Sequence, residues 1–93
     1  PRDFILHQNY PNPFNPGTRI DYQIFSSGYT TLAIFNMRGE NVRTVFKSIR
    51  SAGSYSSFWN GTDNSGNPLP SGNYFYQLKN NEMVKIKKMI LLK

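Results

Sequence analysis

The side chains able to do acid–base or nucleophilic chemistry are few in this chain and far apart along it. His7 is the sole histidine, and its nearest acidic neighbour in sequence is Asp3. A nucleophilic serine needs a base that is itself oriented by a third group. Serines are plentiful, yet none sits in the strand–turn–helix elbow that presents such a nucleophile. The five carboxylates are scattered, with no pair spaced for general acid–base work. Asp63-Asn64-Ser65-Gly66-Asn67 gathers oxygen ligands around a glycine in the outline of a calcium loop, but without the repeated acids and closing glutamate. Asx-turn chemistry accounts for the same residues, so a turn is expected. There is no cysteine, hence no disulfide and no thiolate metal site. The sequence predicts a non-enzyme with neither metal nor cofactor.

What the chain does offer is a stiff loop and a basic tail. In Asn9-Tyr10-Pro11-Asn12-Pro13-Phe14-Asn15-Pro16, three prolines within six positions remove three backbone donors and fix φ at each site. Tyr10, Asn12 and Asn15 each precede a proline and are pushed towards extended geometry. The result is a pre-shaped loop carrying two aromatic rings, Tyr10 and Phe14, expected to brace one end of the fold with both rings beneath it. At the other end, Lys79, Lys85, Lys87, Lys88 and Lys93 stand against Glu82 alone. On charge alone such lysines suit a solubilising edge strand first, and as the alternative a docking strip for an acidic partner, lipid or polysaccharide.

The elements between them are short and alternating. Aromatics make up 15% of the 93 residues and charged side chains 17%, which favours a compact β-rich domain over a disordered tail. The length fits a single domain over residues 1–93, and Pro1-Arg2-Asp3 reads as an internal cut from a larger protein. No apolar run approaches a membrane-spanning length, and no signal peptide opens the chain. Period-two alternation and turn signals predict strands over residues 4–6, 19–25, 30–36, 42–46, 55–59, 73–79 and 83–92, with no helical stripe. Seven antiparallel strands in about a hundred residues predict an immunoglobulin-like β-sandwich without the antibody cysteines. The expected core is Trp59, Ile34, Leu32, Tyr22, Ile24, Val42, Tyr74 and Tyr76. In the last strand Val84, Ile86, Ile90 and Leu92 are expected to share a face, interrupted only by Lys88.

Two binding classes follow from this pattern. Nucleic acid is a poor match, because the aromatics alternate as core positions while the lysines gather at one end. A carbohydrate-binding or adhesion module fits better, with Tyr55, Trp59 or Tyr76 as the stacking ring, although a single tryptophan in a small domain is also the natural core residue.

Leu6-His7-Gln8-Asn9-Tyr10-Pro11-Asn12-Pro13-Phe14-Asn15-Pro16, with Thr18, Ile20 and Tyr22, resembles the opening of the C-terminal sorting domains (type A) of the type IX secretion system. These are similar in fold to the immunoglobulin-like domain of the flagellar hook-capping protein. The likeness continues through Leu32 to Val42, through Ala52-Gly53 to Asp63, and through Ser71-Gly72-Asn73-Tyr74-Phe75-Tyr76. It closes on Lys87-Lys88-Met89-Ile90-Leu91-Leu92-Lys93. Asn60 departs from a common aspartate and Phe35 from a common tyrosine, while His7 occupies a position with varied occupants. The resemblance implies an address: a terminal signal on an exported cargo, routed through the periplasm and read by the outer-membrane translocon. A sortase-like protease then removes it, leaving the cargo secreted or on the cell surface. On that reading Lys85, Lys87, Lys88, Met89, Leu91 and Lys93 of the last strand meet the partner, which could add a strand there.

Overall fold

The computed structural model describes residues 3–93, all of them in strands, turns and loops. Pro1 and Arg2, most of the segment read as a cut, lie outside the described residues. Seven strands form: β1 (Phe4–Leu6), β2 (Thr18–Ile24), β3 (Gly28–Phe35), β4 (Asn41–Arg50), β5 (Gly53–Trp59), β6 (Gly72–Asn80) and β7 (Met83–Leu91). They pair entirely antiparallel into two sheets, one in the order β1-β2-β5 and the other in the order β4-β3-β6-β7. This is the immunoglobulin-like sandwich that the spacing of turn signals predicts. No helix among the described residues is long and apolar enough to cross a membrane.

Alternation decides which residues meet between the sheets. Ile20, Tyr22 and Ile24 of β2 face Leu32 and Ile34 of β3 and Tyr74, Tyr76 and Leu78 of β6 across a dry interior. All the expected core residues lie there except Val42, which is only partly buried against it. Phe4, Leu6, Phe14, Leu78, Met89 and Leu91 complete the core.

With no cysteine to bridge the sheets, two aromatic clusters fasten them. At one end Trp59 is tilted on Phe14 with centroids 5.7 Å apart and meets the edge of Tyr74 at 5.8 Å; its Nε1–H donates to the Thr62 carbonyl at 2.8 Å. At the other, Tyr22 stacks on Phe46 of β4 and on Tyr55 of β5. The Arg50 guanidinium lies 3.8 Å from the Phe46 centroid and donates to the Tyr22 hydroxyl at 2.8 Å. Burial pushes the Tyr22 hydroxyl above its ordinary pKa, so it stays a neutral acceptor for Arg50. Sequence patterning misses this clamp because it ends β4 at residue 46, before Arg50.

The turns follow their chemistry. Asp63 Oδ1 accepts the Ser65 and Asn67 amides at 2.9 Å each, and those bonds, Asn67 first, hold its carboxyl below the usual carboxylate range. The calcium-like outline is therefore an Asx turn. Gly28 is required by contact, since a Cβ there would collide with the Asn81 side chain, which closes the β6–β7 turn at φ 56°.

Candidate recognition surfaces

The proline loop is held from below, residue by residue. Phe14 is 2% exposed and plugs the sandwich end against Trp59. Asn9, also buried, donates from its side-chain amide to the Thr18 hydroxyl at 3.0 Å and to the Pro11 carbonyl at 3.2 Å. The Thr18 hydroxyl in turn donates to the Pro11 carbonyl at 2.8 Å. Tyr76 reaches across from β6 to accept the Asn9 amide at 2.9 Å and donate to the His7 carbonyl at 2.7 Å. Burial pushes its pKa up to about 12, which keeps that donor protonated. Among the described residues no buried side-chain nitrogen or oxygen lacks a partner.

The loop then crosses to the second sheet and pairs with its edge. Phe14 forms a parallel bridge with Leu91: its amide donates to the Ile90 carbonyl at 2.9 Å, and its carbonyl accepts the Leu92 amide at 2.9 Å. The Asn12 side chain accepts the Ile90 amide at 2.9 Å, and Gln8 Nε2 donates to the Lys88 carbonyl at 2.7 Å. One half of the β7 edge is thereby closed. Strand alternation points the Val84 and Ile86 amides and carbonyls the same way as those of Ile90, away from β6, and the loop does not reach them. A partner adding a strand to β7 has only residues 83–87 to pair with. The β4 edge is covered similarly near its start, where Asn64 bonds Val42 and Thr44.

Several expected site residues change character here. Met89 and Leu91 point into the core with no exposed surface, so their side chains are unavailable to a partner of the folded domain. The face of β7 that looks apolar in sequence, Val84, Ile86 and Ile90, is the outer one; the inner face is Lys85, Lys87, Met89 and Leu91. The two lysines fit inward because the sandwich is open at that end. Lys85 Nζ pairs with Asp3 at 3.2 Å and sits 5.6 Å from the Phe4 ring. Lys88 and Lys93 are exposed and Lys87 half-buried, with no carboxylate partner among the described residues. Tyr10 is not beneath the loop. Its backbone exchanges two bonds with Arg19, an outward residue of β2, and cross-strand neighbours share a face. Pro11, Asn12, Pro13, Asn15 and Pro16 are exposed along the crossing.

Charge is segregated by sheet. Arg43, Lys47 and Arg50 on β4, Lys79 on β6, and Lys85, Lys87 and Lys88 on β7 meet no Asp or Glu within the four strands of their sheet. On its outer face Phe35, Phe75 and Ile86 line an apolar depression of ≈ 420 Å³ beside Lys88, which is in register with Phe75. The other sheet balances Arg19 with Asp21. There the fold brings His7, Asp21 and Ser56 together, a grouping invisible in sequence. Ser56 donates directly to Asp21 at 2.6 Å, and no imidazole lies between them, so the trio lacks the order of a nucleophilic triad.

The sequence pattern of the FlgD Ig-like domain matches residues 20–82, more than half of the chain. The chain belongs to the FlgD Ig-like domain family. The matched span runs from β2 to the β6–β7 turn, leaving the proline loop and β7, the two parts of the latch, on either side of it. No curated protein matches the sequence. Among solved structures, a segment of PorU from Porphyromonas gingivalis superposes with a TM-score of 0.77 at 18% identity, covering 99% of this chain and 9% of PorU. FlgD from Xanthomonas campestris, whose structure bears on the hook capping essential for flagellar assembly, gives 0.65 at 19% identity over 96% of this chain and 65% of its own. PorZ of Porphyromonas gingivalis, an essential surface component of the type-IX secretion system, gives 0.61 at 20% identity over 95% of this chain and 11% of PorZ. At these identities the likeness establishes the fold. The chain spans only a small part of PorU and PorZ.

Proposed function

We propose that this FlgD Ig-like domain is a sorting signal carried by a larger exported protein and read by the outer-membrane translocon of the type IX secretion system. The observation that carries the reading is the match of nearly the whole chain to a small module of PorZ, a surface component of that system. The ordered resemblance of the proline loop and the lysine-rich end to type A sorting domains supports it from sequence. On this reading the domain has no catalytic step of its own. Its partners are the translocon, the sortase-like protease that removes it, and its cargo, which ends secreted or on the cell surface.

Recognition then falls to what the fold leaves open on β7. The unlatched backbone of residues 83–87 offers pairing groups, and Lys87 and Lys88 supply charge for an acidic partner. Ile86 beside them is 58% exposed and gives the partner an apolar contact. Removing residues 87–93 cannot test this, because it deletes Met89 and Leu91 from the core and the strand that Phe14 holds. Charge reversal can. A periplasmic reporter fused to this domain should reach the medium or cell surface of a host with the system. Lys87→Glu with Lys88→Glu should return it to the periplasm, whereas Lys47→Glu at the opposite edge should not, with all variants folded by circular dichroism. Unchanged export of the double variant would remove these lysines from the signal, and no export of the parent fusion would remove the function.

A further inference from the structure

The charge-balanced outer face of the β1-β2-β5 sheet carries two large rings in solvent. Tyr10 is 70% exposed and Phe58 67%. Tyr10 pairs with Arg19, and Arg19 with Phe58, so one cross-strand row reads ring, guanidinium, ring. Two strand spacings set the rings about 10 Å apart. The backbone carrying each is fixed before any ligand arrives. The tip of the Phe58 ring abuts Gly17, where a Cβ would collide with it. Tyr10 is held by two backbone bonds to Arg19 and followed by the proline crossing. Rigid aromatic anchors lose little conformational entropy on binding.

Between and beside the rings lies a polar strip with both donors and acceptors. Arg19 Nε is 3.0 Å from Asp21 Oδ1, which also takes the Ser56 hydroxyl at 2.6 Å. His7, Gln23 and Ser54 border the same depression of ≈ 310 Å³. A guanidinium beside a carboxylate presents donor and acceptor together with no net charge, which suits vicinal hydroxyls rather than phosphates. Polyanions are drawn to the other sheet, whose four strands hold seven cations and no carboxylate.

We propose that this face binds a neutral saccharide, with Tyr10 and Phe58 stacking on sugar rings and Arg19, Asp21 and Ser56 bonding the hydroxyls between them. Trp59 and Tyr76, the rings sequence reasoning would choose, are sealed in the core, and Tyr55 is stacked on Tyr22. The site is separate from β7, so it stands or falls independently of export.

The test is amide NMR titration of the chain with cellohexaose, mannohexaose and chitohexaose. Binding by any of them should shift the amides of Tyr10, Arg19, Asp21, Ser56 and Phe58. Tyr10→Ala and Phe58→Ala should each weaken that binding by about tenfold or more, while Tyr10→Phe and Phe58→Tyr keep it. Melting should hold steady, because both rings are outside the core. No shift with any of the three, shifts confined to β6 and β7, or binding indifferent to both alanines would overturn the proposal. So would sedimentation showing that this face joins two copies of the chain.

Discussion

Phe14→Ala should lower the melting temperature by more than about 12 °C, a loss of about 3–5 kcal/mol for a buried phenylalanine in a domain of this size. The residue is nine-tenths and more buried although its loop is exposed on both sides, and its ring contacts Trp59 at 5.7 Å. Truncation opens a cavity at the sandwich end, and the bridge to Leu91 loses the side chain that anchors it. Since small domains hold only about 5–15 kcal/mol in total, part of the population should unfold near physiological temperature. Phe14→Leu should recover roughly half of the loss by refilling volume. Denaturant melts of the three proteins check this; a fall of only a few degrees for the alanine variant would mean that the loop rests on the domain without bracing it.

Trp59→Ala should be as damaging, by about 3–5 kcal/mol. The indole is 1% exposed, touches Phe14 from the loop and Tyr74 from β6, and ties the end of β5 to the Thr62 carbonyl. Its removal separates the two sheets at the point where nothing covalent joins them. Loss of the cooperative unfolding transition is the expected readout. Retained cooperativity with a stability change below about 1 kcal/mol would contradict the placement of Trp59 in the core.

Strand positions were legible in the sequence because each is bounded by Gly, Pro, Asn or Ser turn chemistry, and alternation placed Trp59, Tyr22, Ile34 and Tyr76 correctly. The inward face of β7 was not. Val84, Ile86, Ile90 and Leu92 outnumber Met83, Met89 and Leu91 on the other side, but Lys85 and Lys87 lie where the sandwich opens and can send their amines outward. The destination of the proline loop was also hidden. Its partner Ile90 is 78 residues beyond Asn12, and no local pattern encodes a parallel bridge over that distance. The rigidity read from Pro11, Pro13 and Pro16 is used to close half of an edge strand, and the pairing groups of the other half stay open. The exposure of Tyr10, expected beneath the loop, was hidden for a related reason. Its partner on β2 is Arg19, and only the register reveals that both face water.

The half-latched β7 strand is tested most directly by native-state hydrogen exchange at three of its amides and that of Leu92 just beyond it. Ile90 and Leu92 donate to Asn12 and Phe14 and should exchange only on opening of the latch or the whole domain, many-fold more slowly than Val84 and Ile86, whose amides face away from β6. The same slow rate at Val84 and Ile86 would mean that the edge is closed throughout, and fast exchange at Ile90 and Leu92 would mean that the proline loop does not hold the final strand.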